Sequence, residues 1–313
     1  MENSKPKILI LGVTASGKSA LAFELSKTIN AEIISVDSMK VYRRMDIGTA
    51  KPPQEKQKLI PYHLIDVVEP SEAFSVDRFL DMTEQATVDI QGRGKLVVAV
   101  GGTAMYIKAL LYGLFEGPGT DEAIRNRLQK TAEETGLGPL HQKLIEVDPV
   151  AAERIHPNDQ KRIVRALEVY ELTGKPISSF QKQWDNTQPA SDWLVIGLRR
   201  EKEIESQRMN LRIKRMMEAG LVDEVTALLA EDKPLSPQAA AAIGYAEMIA
   251  HLKGEMDLDE TVERIKINTR RFAKSQRTWF KTFKNVNWID ITEDDTVESV
   301  LEKSLNIIEH THE

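Results

Sequence analysis

Hydrophobic positions follow two alternating patterns over the first third of the chain. Lys7–Val13 (KILILGV) is an apolar run closed by glycine, as in a strand buried on both faces of a parallel sheet. Leu21, Leu25 and Ile29 then recur every four residues and predict one face of a helix. Ala31–Val36 (AEIISV) and Lys95–Val100 (KLVVAV) predict two more buried strands, and Tyr106–Leu111 begins another helix. Alternation of this kind predicts an α/β fold, a parallel sheet with helices on both faces.

The pattern changes at Gly117-Pro118-Gly119. Ile124, Leu128 and Ala132 repeat helically, as do Ile163, Leu167 and Tyr170 in a segment opened by Asn158-Asp159 and closed by Gly174 before Pro176. No strand pattern intervenes before about Asp185. Trp193–Leu198 (WLVIGL) again reads as a strand, and Val286–Ile291 as a late one in a mostly helical last third. The expected organisation is an α/β core of residues 1–117 and 186–313, interrupted by an all-helical insertion of residues 118–185.

Composition narrows the chemistry. The 313 residues are 41% hydrophobic, enough for a full core, and carry 48 acids against 42 bases, a net charge of −6. A nucleic-acid site must therefore be a local basic patch. The absence of cysteine excludes disulfides, thiolate metal sites and a cysteine nucleophile. The run after Lys5 and Lys7 is too short for a secretory leader, and no run spans a membrane, so a cytoplasmic protein is expected, without membrane association and working as a monomer.

Gly12-Val-Thr-Ala-Ser-Gly-Lys-Ser19 fits the phosphate-loop pattern at every fixed position, after a buried strand and before a helix. Its glycines let backbone N–H groups converge on phosphate oxygens at a helix N-terminus. The pattern assigns Gly12, Thr14, Ala15, Ser16 and Gly17 to the cradle, Lys18 to terminal phosphate charge and Ser19 to Mg²⁺. It specifies a di- or triphosphate, not ATP as such. Asp37 ends the second strand and Thr103 follows the third, so both border the crevice at the carboxyl ends of a parallel sheet. Spacing alone leaves Asp37 as a metal partner, a general base or a helix cap.

Arg264–Lys284 holds eight basic residues and no acid. Arg270, Lys274, Arg277 and Lys281 fall within about 60° of helical arc, and Phe272, Trp279 and Phe283 within about 40° on the opposite side. An inward aromatic stripe and an outward cationic one are expected. Lys161, Arg162 and Arg165 form a smaller basic cluster.

Asp37-Ser-Met-Lys-Val-Tyr-Arg-Arg-Met-Asp-Ile-Gly-Thr-Ala-Lys-Pro52 closely resembles the block after the phosphate loop in tRNA dimethylallyltransferases, or tRNA isopentenyltransferases. Further blocks of that family follow in order: His63–Asp66, Gly101–Tyr106, Arg154–Asp159, Arg165–Val169, Ala242–Tyr245 and Gln276–Phe280. The sequence departs from the family at Val13, Lys40 and Tyr62, where proline, glutamine and histidine are usual. The resemblance implies a P-loop-type core and transfer of a dimethylallyl group from dimethylallyl diphosphate to N6 of the adenosine 3′ of a tRNA anticodon. It implies Mg²⁺ as cofactor and the tRNA anticodon stem-loop as partner, gripped by the insertion. It makes Asp37 the general base, with Thr103 at the target base and Lys18 at the leaving group. Arg212 and Arg215 resemble a family segment implied near the diphosphate, with Arg215 assigned to it. Implied tRNA contacts are Asp37, Ser38, Met39, Lys40, Thr103, Arg125, Lys161, Arg162, Ile163, Val164 and Arg165, with Arg270, Lys274, Arg277 and Lys281 touching phosphates. A P-loop kinase is the main competing reading, but it gives no role to the basic helix or the Gln276–Phe280 block.

Overall fold

A computed structural model describes residues 7–113, 117–181 and 192–310. The chain runs β1 (Lys7–Gly12), α1 (Lys18–Thr28), β2 (Ala31–Val36), α2 (Gln54–Leu59), β3 (Tyr62–His63), α3 (Val76–Gly92), β4 (Leu96–Gly101) and α4 (Ala104–Tyr112). Helices α5 (Glu122–Thr135), α6 (Gly138–Val147), α7 (Pro149–Arg154), α8 (Gln160–Thr173) and α9 (Ile177–Gln181) follow. The last part is β5 (Trp193–Arg199), α10 (Lys202–Glu218), α11 (Leu221–Leu229), α12 (Pro237–Ala240), α13 (Tyr245–Leu252), α14 (Leu258–Phe280), β6 (Val286–Asp290) and α15 (Val297–His310).

All strand pairs are parallel, in the order β3-β2-β4-β1-β5-β6. Strand β1 sits between β4 and β5, with Ile10 beside Val100 on one side and Ile196 on the other. Ile8, Leu9, Ile10 and Leu11 are fully buried, which is why this strand reads as an unbroken apolar run. On one face of the sheet Leu21, Ala22 and Leu25 of α1 pack with Ile8, Ile10, Val98, Ile196 and Val300. The sheet positions Asp37, Thr103 and the phosphate loop by ending β2, β4 and β1 at neighbouring points. The two-residue β3 was not expected; it is too short to leave a periodic trace.

The chain divides into two compact units, 1–111 with 191–313, and 112–190. Every described element of the second unit is a helix. The expected boundary at 185/186 lies outside the described residues. This unit has its own core of Leu128, Leu140, Leu144, Ile163, Leu167 and Val169, among others. Asp159 caps α8 by accepting from the Arg162 N–H, and Gly174 closes it in the left-handed conformation. Among the described residues no helix is long and apolar enough to cross a membrane.

Candidate active site

The phosphate loop is held open by its own backbone and by arginines from far along the chain. Gly17 has φ +106, a conformation open to glycine, and Ala15 adopts φ 64, a strained value of the kind found at ligand clamps. Three loop oxygens face outward and each meets a guanidinium. Arg212 Nη1 donates to Thr14 Oγ1 at 3.2 Å, Arg208 Nε to the Ala15 carbonyl at 2.9 Å, and Arg200 Nε to the Ser16 carbonyl at 3.0 Å. Arg208 and Arg212 lie one turn apart on α10, so they share a face. Lys18 Nζ donates to the Val13 carbonyl at 3.1 Å.

Beyond β2, Asp37 Oδ1 accepts from the N–H groups of Met39, at 2.9 Å, and Lys40, at 3.2 Å. This short turn carries Ser38, whose N–H donates to Thr103 Oγ1 at 3.0 Å. Asp37 and Thr103 are thus tied into one structure. The rest of the 37–52 segment is pinned just as firmly. Glu224 accepts from the N–H groups of Asp46, Ile47 and Gly48 and from the Tyr245 hydroxyl, the last at 2.6 Å. Lys51 donates to the Tyr42 carbonyl and to Asp46 and Asp66.

The crevice is cationic. Lys18, Lys40 and Arg212 act on one another, with Asp37 the nearby counter-charge. Burial, then Arg212 and Lys40, pull the Lys18 pKa down to about 7 despite Asp37. Lys40 is lowered by burial first and then by Arg212 and Lys51, against the pull of Asp37. Such a cluster is poised for an anion with several charges. Beside it a cavity of about 220 Å³ is lined by Ser19, Ser35, Lys40, Ala50, Tyr62 and Val100, among others.

Other expected site residues fall elsewhere. Ser16 is buried, its hydroxyl without a partner among the described residues. Arg215 is exposed on α10; the neighbour that reaches the loop is Arg212, since Arg215, on the same face as Arg208 and Arg212, lies about a turn further along the helix. Ile163 and Val164 are 0% and 3% exposed in the helical core, so their side chains have no surface to offer an RNA. Arg125 and Arg165 both bind Glu168, which is fully buried, at 2.9 and 3.0 Å, and Arg165 also donates to the carbonyls of Pro118 and Gly119. Burial alone would raise the Glu168 pKa; Arg125, Arg165 and the Asp121 N–H outweigh it and hold the carboxyl low. Lys161 and Arg162 are exposed, the latter 3.4 Å from Asp159.

The two stripes of α14 are also corrected. Phe272 is 42% exposed, and the buried positions are Thr261, Ile265, Ala273, Gln276 and Phe280. Phe283 is buried just past the helix. The helix packs against both α10 and α13, so its flanks make polar contacts instead of facing solvent. Arg277 pairs with buried Glu205 of α10, Arg270 Nη1 donates to Asn210 Oδ1 at 3.2 Å, and Asn268 on the other flank donates to Glu247. Lys274 and Lys281 remain exposed, together with Arg264 and Arg271. His63 is bound to Glu32 at 2.7 Å, alongside Arg93 and Lys95. His156 Nδ1 accepts from the Asn158 N–H.

Sequence reasoning missed Arg200, Arg208 and the contact of Gln276 with the loop. The 208/212 spacing was visible; its direction was not.

A family model described as IPP transferase matches residues 40–283, and one described as isopentenyl transferase matches 7–69. A tRNA dimethylallyltransferase of Geobacter metallireducens is 47% identical over 290 residues, 92% of this chain and 94% of its own. One from Acetivibrio thermocellus is 44% identical over 295 residues, 94% of each chain. Among solved structures, the tRNA isopentenylpyrophosphate transferase of Bacillus halodurans superposes with a TM-score of 0.70 at 37% identity, covering 98% of both chains. A eukaryotic dimethylallyltransferase acting on tRNA superposes with a TM-score of 0.80 at 28% identity, covering 98% of this chain and 80% of that one.

Proposed function

Because the chain belongs to the IPP transferase family, we propose that it transfers the dimethylallyl group of dimethylallyl diphosphate to N6 of the adenosine 3′ of a tRNA anticodon. The observation that carries the reading is the convergence of a cationic phosphate cradle with the Asp37–Thr103 pair on adjoining strand ends.

The allylic C–O bond breaks and its electron pair stays on the diphosphate. Lys18 and the loop N–H groups stabilise that developing charge, as Arg212 does from the side. The N6 lone pair forms the new C–N bond. Adenine N6 is a weak nucleophile because its lone pair is delocalised, so removal of its proton matters, typically by about 10²–10⁴-fold. Asp37 takes that proton. Its Oδ1 is committed to the turn N–H groups, which leaves Oδ2 for the base, and the same two bonds fix its direction. Thr103 orients the adenine from the other side. An adenine stacked in an anticodon loop cannot reach the crevice, so it enters flipped out.

No cluster of three acidic or histidine ligands exists among the described residues. The exposed hydroxyl of Ser19, at the start of α1, suits Mg²⁺ held otherwise by phosphate oxygens and water. Bound there, Mg²⁺ supplies further neutralisation of the leaving diphosphate. Of the expected phosphate contacts, Lys161 and Arg162 on the helical unit and Lys274 and Lys281 on α14 have exposed side chains to offer an RNA.

The decisive experiment is incubation with labelled dimethylallyl diphosphate, Mg²⁺ and either unmodified tRNA or AMP. Label in tRNA at the adenosine 3′ of the anticodon is expected. Label in AMP would make the enzyme a free-adenylate prenyltransferase, and Mg²⁺-dependent ATP consumption with a small acceptor would make it a kinase.

A further inference from the structure

Gln276 stands in a block with no assigned chemistry, yet it touches both halves of the site. It projects from α14 and is 3% exposed. Its Oε1 accepts from the Thr14 N–H at 2.9 Å, and its Nε2 donates to the Gly102 carbonyl at 2.7 Å. Both ends of the amide are therefore fixed, one on the phosphate loop and one on the residue before Thr103. Thr103 in turn holds Ser38, next to Asp37. The amide completes a chain of hydrogen bonds from the diphosphate cradle to the general base.

The fit is tight enough to constrain its neighbours. A Cβ at Gly102 would lie 2.4 Å from Gln276 Nε2, so it would force the amide out of its place between Thr14 and Gly102. The same position is 3.6 Å from Lys18 Cε, so the two halves approach closely here. An apolar residue of the same length would leave the half-buried Thr14 N–H and the buried Gly102 carbonyl unpaired, and either strand end would be free to shift.

We infer that Gln276 is a positioning residue: it sets the separation between the diphosphate held on the phosphate loop and the adenine held at Asp37 and Thr103. The inference rests on the reaction proposed above. Transfer across two separately bound substrates depends steeply on that separation, and a displacement of about 1 Å can cost about 10²-fold in rate. Substrate affinity depends on it far less, because each half keeps its own ligand contacts.

The test uses Gln276→Met and Gln276→Glu in the full chain, with single-turnover transfer at saturating tRNA and donor. For Gln276→Met, transfer should fall by at least about 30-fold. Dissociation constants for tRNA and for inorganic pyrophosphate with Mg²⁺ should stay within about threefold. A rate near wild type, or a rate loss matched by an equal loss of pyrophosphate affinity, overturns the inference. Gln276→Glu covers the case in which the methionine variant fails to fold. Ionised, its carboxylate accepts from Thr14 but repels the Gly102 carbonyl; protonated, it donates there as the amide does. Its rate relative to wild type should rise at least about fivefold between pH 8.5 and 6. A flat ratio overturns the inference. Wild-type enzyme that transfers nothing to tRNA would instead defeat the proposed function, and the two failures are thereby separate.

Discussion

Titrating donor affinity above neutrality tests the electrostatics of the cradle. In the free protein burial, then Arg212 and Lys40, disfavour the Lys18 ammonium, whose pKa falls to about 7. A diphosphate on the loop adds negative charge beside it and reverses that balance. Binding therefore draws a proton onto Lys18. At pH 8 roughly one free molecule in ten carries the ammonium, so binding takes up about 0.9 proton. Affinity should be highest near pH 7 and weaken by up to about tenfold, or about 1.4 kcal/mol, per pH unit above it. The donor's own last phosphate ionisation, at about pH 6, lies below this window. Calorimetric titration with dimethylallyl diphosphate at fixed Mg²⁺, in two pH 8 buffers of different ionisation enthalpy, reads the uptake directly. Lys18→Met should abolish it. An uptake near zero in the wild type would refute the reasoning.

Four further outcomes follow from the site and its surroundings. Asp37→Asn should lower single-turnover transfer by two or more decades, by about 10²-fold at least, with tRNA affinity nearly unchanged; a near-normal rate removes Asp37 as the base. Lys274→Ala with Lys281→Ala should flatten the slope of log tRNA affinity against log salt by roughly 1.5, whereas Arg277→Ala leaves Glu205 buried without its partner and should cost about 3 kcal/mol of stability in a denaturant titration. Glu168→Ala should destabilise the helical unit by about 1–3 kcal/mol, seen as early loss of helical circular dichroism on heating, because it leaves the Asp121 N–H unpaired and removes the carboxylate partner of the half-exposed Arg125 and Arg165.

Strands β1, β2, β4 and β5 were legible because strands buried on both faces leave contiguous apolar runs; β6, a half-exposed edge strand, was legible only in outline, and all five came within a residue or so of their expected ends. The phosphate loop was legible because its glycines and Lys18 are local in sequence. What braces the loop was legible only in part: the resemblance put Arg212 near the diphosphate, but Arg200, Arg208 and Gln276 arrive from 184 or more residues away and carry no local signal. Charge counts misled where a buried carboxylate waited in space: Glu168 claims Arg125 and Arg165, and Glu205 claims Arg277. Size misled on α14, where Ala273 and Gln276 face inward and the larger Phe272 does not, because two neighbouring helices set which arc is covered.

The central place of β1 has a consequence for synthesis. One edge of β1 pairs with β4, but the other waits for β5. Translation reaches β5 roughly 180 residues after β1 is complete, about 10–35 s later at about 5–20 residues per second. The whole helical unit is made in that interval. Throughout it a strand that ends almost wholly buried has an unpaired edge, the kind of template on which chains associate wrongly. A ribosome stalled before Trp193 would hold a chain with a complete phosphate-loop sequence and no brace for it, a natural client for chaperones that shield strand edges.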